Sequence, residues 1–146
     1  MKKIIAAALI ASACASTAAN ATTGPEEVKL AANGYMDIGD VAKNINLARQ
    51  FNIVALDNRS GFVKNSFEAT LSANVVAGIL DNAANNRLGV TAGSNKGRVV
   101  FTGSSVGGSV SQCGEQVAKD AKDLAAGAAK GGAALDLTKA NGCKSL

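Results

Sequence analysis

The cysteines are the residues whose type and spacing most clearly permit chemistry. The chain has three, at positions 14, 113 and 143. Cys113 and Cys143 lie too far apart in the sequence for a CxxC redox or metal pair. Because Cys14 falls in a segment with the features of an export signal, the other two remain as a pair in an oxidising compartment. We therefore predict a structural Cys113–Cys143 disulfide rather than a reactive thiol pair.

The remaining candidate chemical groups point away from catalysis. The chain contains no histidine, which excludes Ser-His-Asp and Cys-His mechanisms and disfavours a zinc or haem site. Asp57 and Asp81 could act as paired carboxylates, but both stand in Asp-Asn contexts that are typical of turns. The glycine-rich stretches Gly93–Gly97 and Gly103–Gly108 lack the spacing and Lys-Ser/Thr ending of a phosphate-binding loop. We expect no catalytic, cofactor-binding or metal-binding residues, and no enzyme.

Residues 1–21 have the three parts of a bacterial-type secretory signal. Two lysines are followed by an apolar run and by Ala19-Asn20-Ala21, which matches an A-x-A cleavage site. This pattern predicts cleavage between Ala21 and Thr22, export to the periplasm or beyond, and loss of Cys14. A second interpretation remains open, because the residues up to Cys14 form a loose lipobox. Cleavage before Cys14 would leave a lipid-anchored protein.

Charge and composition limit the partners. Lys2 and Lys3 belong to the signal, so the formal charge falls from +4 to about +2 in the exported chain. A charge this small gives no electrostatic reason to expect a nucleic acid. After the signal, no apolar run approaches the roughly 20 residues that span a bilayer. We therefore expect a chain without a transmembrane segment.

Apolar spacing predicts an α+β fold in which helices pack on one face of a small antiparallel sheet. A helix is expected from about residue 37 to Phe51, followed by strands at Ile53–Leu56 and Phe62. Leu71, Val75, Ile79 and Ala83 have the same helical spacing and precede two further strands, which suggests a duplicated αββ unit.

The C-terminal part is expected to form a helix and a returning tail. The helix would run from Gln112 to Ala128, and the tail from Ala129 could fold back so that Cys143 meets Cys113. Closing this loop would stabilise the fold by roughly 3–4 kcal/mol. The predicted organisation is a signal at 1–21, a flexible N-terminal lead-in at 22–34, and a single α+β domain at 35–146 with a disulfide-tethered tail.

The sequence over about residues 71–124 resembles that of BON-domain periplasmic proteins. That family has a G-x-V-x-L-x-G strand, which Gly97, Val99 and Gly103 match with Phe101 in the leucine place. Val117–Leu124 would be the helix that follows the strand. The resemblance implies a periplasmic module that contacts phospholipid or other envelope components, and it transfers no catalytic residues.

Two functions follow from these features. The first is a secreted or periplasmic, non-enzymatic module that binds cell-envelope lipid or polymer and serves in envelope stress. The second is a structural subunit of a self-assembling surface fibre or pilus, whose partners are copies of itself. In the second case, short apolar strands left at sheet edges could pair between molecules, and Thr22–Asn33 could reach a neighbouring subunit.

Overall fold

The computed structural model describes residues 24–144, which form eight β-strands in two sheets and one short α-helix. Single 3₁₀ turns lie at Asp57–Arg59, Lys130–Gly132 and Ala140–Gly142. The strands and the helix are β1 (Glu26–Lys29), β2 (Tyr35–Ile38), β3 (Arg49–Val54), β4 (Phe67–Leu71), β5 (Val75–Asn82), β6 (Arg87–Ser94), β7 (Val100–Ser104), β8 (Ser111–Cys113) and α1 (Leu124–Ala128).

The two sheets divide the strands unequally. The three-stranded sheet has the order β1-β3-β4, with β1 parallel and β4 antiparallel to β3. The five-stranded sheet is antiparallel throughout and has the order β2-β5-β6-β7-β8. The main contacts between the sheets join β1 to β2 and β4 to β5. The smaller sheet therefore lies over one side of the larger one.

The first core fills the space between the sheets. Phe51 and Ile53 point inward from β3 and are fully buried, and Ile79 meets them from β5. Val28 and Leu30 add two more buried side chains from β1 and the residue after it. Residues of the predicted N-terminal lead-in therefore belong to the core of the domain.

A second core lies on the opposite face of the five-stranded sheet, under the C-terminal segment. Ala125 and Ala129 pack there with Val100 of β7. The approach is close, because a Cβ on Gly93 would overlap the backbone carbonyl of Ala125. Small side chains on both sides thus allow α1 to lie almost directly on the backbone of β6.

The prediction of an α+β fold is wrong: among residues 24–144 the longest helix has five residues, and strands form both layers of the first core. The clearest case is the segment predicted as a helix from Leu71 to Ala83, most of which is β5. A spacing of four residues is about one helical turn but also two strand repeats, so it aligns side chains on one face in either structure. Ala77, which lies between Val75 and Ile79 on the same face, decides for the strand.

The other two predicted helices are also absent, and with them the duplicated αββ unit. Between β2 and β3 the chain turns repeatedly, with positive φ angles at Gly39 and Asn44 that a helix cannot contain. The segment predicted as a helix from Gln112 to Ala128 begins as β8 and leaves it at Gly114, again with positive φ. Only its last turn, from Leu124, is helical.

Candidate functional site

The two carboxylates considered as a catalytic pair have different environments. Asp81 is completely buried on β5 and accepts hydrogen bonds from the backbone N–H groups of Phe62 and Val63, at 2.8 and 2.9 Å. Asp57 is exposed at the start of a 3₁₀ turn. Asp81 thus fastens the long β3–β4 connection to the five-stranded sheet, and the structure gives it a structural role.

The predicted disulfide is confirmed. Cys113 and Cys143 are bonded with their Cα atoms 5.4 Å apart. The path of the chain differs from the expected one, because Cys113 ends strand β8 and Cys143 forms an isolated β-bridge with Leu135. The bond ties the C-terminal segment across the second core. Cys14 and the predicted cleavage site at Ala21 and Thr22 lie outside the described residues.

A cleft of about 480 Å³ lies where the β2–β3 connection meets the start of β1. Its central cation, Arg49, is engaged by the protein itself: the guanidinium donates to the carbonyls of Asp40 and Val75 and lies 6.0 Å from the Phe51 ring centre. A hydrogen bond from the Ala42 N–H lowers the pKa of the Asp40 carboxyl. These contacts fix the loop and leave Arg49 a structural group.

Tyr35 joins the two layers around the second core. Its hydroxyl lies 2.6 Å from the Thr91 hydroxyl and donates to the Ala129 carbonyl oxygen at 2.5 Å. Burial raises the pKa of Tyr35 above its ordinary value. The cluster is hydrogen-bonded internally and holds the C-terminal segment on β2 and β6.

A more distinctive feature is the apolar surface that the smaller sheet leaves uncovered. The strand register continues two inward-facing rows of side chains from the first core outward across β6, β7 and β8. One row runs from Ala77 to Ala92 and Phe101, and the other from Ile79 to Val90. We call the outer part of these rows the open face; it consists of Val90, Ala92, Phe101, Gly103 and Gln112 on β6, β7 and β8, and of Val110 immediately before β8.

The side chains of these rows become more exposed toward the edge of the sheet, while Gly103, which has no side chain, is buried between Val90 and Val110. Ile79 is 3% exposed and Val90 is half-buried, whereas Phe101 is 43% and Val110 is 69% exposed. None of the six residues of the open face is charged. An antiparallel sheet that faces water usually alternates apolar and polar residues, so this face has the composition of a contact surface.

Sequence reasoning missed the open face because it treated Phe101 as an ordinary strand residue. A signal was present in Val99-Val100-Phe101 and in the run from Leu88 to Ala92, where residues on both faces are apolar or small. Such runs are typical of strands that are covered on both sides. Only the sheet order shows that one of those sides is uncovered.

Among residues 24–144, no helix is long and apolar enough to cross a membrane. The same residues contain no group of three or more acidic or cysteine side chains arranged to hold a metal ion. No family model matches the chain, and no curated protein or solved structure is significantly similar to it. The BON resemblance therefore stays a prediction, and the fold and its surfaces must carry the functional argument.

Proposed function

We propose that this protein is a secreted, non-enzymatic structural subunit that assembles with copies of itself into a surface fibre or a related structure. The observation that carries the proposal is the open face, where the apolar rows of the core continue to Phe101 and Val110 with no cover from residues 24–144. Contiguous exposed apolar surface often marks a site of contact with another protein.

Two strand edges that pair with no other strand in the described part of the chain support the same function. The order of the sheets leaves β4 at one end of the smaller sheet and β8 at one end of the larger, and both edges border the open face. Backbone N–H and C=O groups at such edges can pair with another chain. Apolar surface and free edges thus meet at one place on the molecule.

The structure changes one detail of the expected mode of assembly. Glu26–Lys29 pairs with β3 of its own chain, and Val28 and Leu30 are part of the core. A deletion of Thr22–Asn33 would therefore expose Phe51 and Ile53 and destabilise the domain itself. We place the assembly contact on the open face instead.

Export is part of the proposal. A disulfide between Cys113 and Cys143 persists in oxidising compartments and is rare in the cytosol. It agrees with the export signal predicted at residues 1–21. A periplasmic or extracellular site would also give the subunit access to the cell surface.

One experiment distinguishes this proposal from the competing function, which is contact with envelope phospholipid as the BON resemblance implies. Residues 22–146 are purified with the disulfide intact and studied by sedimentation velocity, negative-stain microscopy and flotation with phosphatidylglycerol-containing vesicles. We expect concentration-dependent oligomers that Phe101→Lys disperses. Leu47→Lys is the matched control, because Leu47 is 56% exposed but lies in the β2–β3 connection. A monodisperse monomer that floats with the vesicles would support the envelope module and overturn the structural subunit.

A further inference from the structure

We infer that the open face is covered by the open face of a second copy, related to the first by a two-fold axis that runs along the strands over β7. The inference rests on the proposed function and specifies its partner and contact.

The offset makes the molecule complementary to itself. Ile38 of β2 and Ile79 of β5 are buried under the three-stranded sheet, whereas Phe101 of β7 is exposed, so the larger sheet projects beyond the smaller one and the two layers form a step. Packed sheets lie about 10 Å apart, and the step therefore has the height of one further sheet. We place the two-fold axis midway between the two layers. Rotation about this axis puts the projecting strands of one copy level with the smaller sheet of the other copy, and the reverse holds as well. β4 of one copy then adjoins β8 of the second.

This symmetry brings compatible side chains together. Phe101, on the central strand of the open face, meets Phe101 of the second copy, since residues near a two-fold axis contact themselves. Val110, immediately before β8, continues the row of Val90 and Gly103, and it faces Val90 of β6 in the second copy. Gln112 faces Ala92 by the same rule. Each of these contacts joins either two apolar side chains or an uncharged polar side chain and a small apolar one.

Charge favours a second copy over an anionic surface. Because no residue of the open face is charged, two such faces meet without like-charge repulsion, which would otherwise cost several kcal/mol. The same lack of lysine and arginine gives this face no attraction for anionic headgroups. A second copy is thus the partner that this surface fits.

The small area of the open face limits the affinity between the two copies. Three strands about 4.8 Å apart and five residues of about 3.4 Å each give a face of about 14 by 17 Å, or roughly 240 Å². A standard stable interface buries about 800 Å² on each partner. One pair is therefore weak, and we expect its dissociation at concentrations between about 10 μM and 1 mM. Because a two-fold contact uses the same face on both copies, it closes a pair, and growth of a fibre requires a second contact outside the open face.

Charge complementation at position 101 tests the symmetry directly. Sedimentation velocity is measured up to about 1 mM for wild type, Phe101→Lys, Phe101→Glu and an equimolar mixture of the two variants. Each variant alone places like charges at the axis, and we expect self-association to weaken on the order of tenfold or more. The mixture juxtaposes opposite charges and should associate more tightly than either variant alone. Circular dichroism checks that both variants fold, and Leu47→Lys with Leu47→Glu is the matched control pair.

The outcomes separate this inference from the proposed function. If wild type assembles but the mixture associates no better than each variant, residue 101 does not face its own copy, and the inference is wrong while the structural subunit stands. If wild type stays monomeric at about 1 mM and no fibres form, both are overturned. In a second measurement, a short bismaleimide should cross-link Phe101→Cys into dimers and leave Leu47→Cys monomeric. Cross-linking of neither variant would contradict the two-fold contact.

Discussion

Removal of the Asp81 carboxylate should destabilise the protein strongly, although this residue touches neither the disulfide nor the open face. Its side chain is completely buried, and its two oxygens accept the backbone N–H groups of Phe62 and Val63. A Cβ on Gly61 would overlap the carboxylate, so the loop is packed directly on it. These contacts hold the β3–β4 connection over one end of the first core.

The magnitude follows from the two hydrogen bonds. Hydrogen bonds to a charged group contribute about 1.5–3 kcal/mol each, and each buried donor left unpaired costs about 1–3 kcal/mol. Relief of the buried charge offsets part of this loss. We therefore expect Asp81→Ala to lower the free energy of unfolding by about 3 kcal/mol, out of the 5–15 kcal/mol that is usual for a domain. Asp81→Asn keeps one acceptor oxygen, and we expect it to cost about 2 kcal/mol.

Urea unfolding followed by circular dichroism measures these losses. Asp57→Ala is the control, because Asp57 is exposed at the start of the same connection and should change stability by no more than about 0.5 kcal/mol. Limited proteolysis should cut the connection faster in Asp81→Ala than in wild type. A loss below about 1 kcal/mol with an unchanged urea dependence would refute the reasoning, since it would mean that the two N–H groups find water at little cost.

Three further predictions concern the second core and its fastening. The double variant Cys113→Ala/Cys143→Ala should lose about 3–4 kcal/mol of unfolding free energy, measured in urea, because a loop with a sequence separation of 30 is no longer closed in the unfolded chain. An unchanged midpoint of urea unfolding would contradict this prediction. Burial raises the pKa of Tyr35, so its contribution to stability is complete below about pH 10 and is lost as the pH rises further. The free energy of unfolding, measured from pH 8 to 11, should therefore fall more steeply in wild type than in Tyr35→Phe. Equal slopes in the two proteins would count against this prediction. Gly93→Ala should lower the free energy of unfolding by about 2 kcal/mol or more, because the added Cβ forces α1 off β6. Gly24→Ala, with open space around the residue, should have little effect in the same thermal melt. Equal melting temperatures for the two variants would contradict the close approach of α1 to β6.

The sequence predicted several strands but not the layers that they form. The predicted strands at Leu88–Val90 and Val99–Phe101 overlap β6 and β7, whereas the one predicted at Ile53–Leu56 shares only its first two residues with β3. The predicted helices were wrong because a spacing of four fits both helix and strand, as at Val75 and Ile79. Distinguishing the two requires knowing what covers each face, and that depends on chain segments far away in the sequence. Asn44 and Asn58, both with positive φ, show that asparagine marks the turns that interrupt these patterns.

The disulfide was predictable from cysteine number and compartment, but its surroundings were not. The predicted export would remove Cys14 and leave one possible pair, so the Cys113–Cys143 bond could be predicted without knowledge of the fold. Its position at the end of β8 depends instead on the order of the five-stranded sheet. The role of Asp81 was hidden for the same reason: the local sequence indicates a turn, whereas the burial comes from the distant residues Phe62 and Val63.

A comparison of the two faces of β6 and β7 shows why the uncovered surface is a candidate contact surface. On one face, Gly93 and Val100 lie under the C-terminal segment, which the disulfide holds in place. On the other, Ala92 and Phe101 have the apolar character of strands covered on both sides, yet the smaller sheet stops short of them. A polar residue at position 101 would satisfy a sheet that faced only water. The exposed phenylalanine therefore favours a fold whose second face is completed by another molecule, and the absence of charge on the open face allows that molecule to be a second copy.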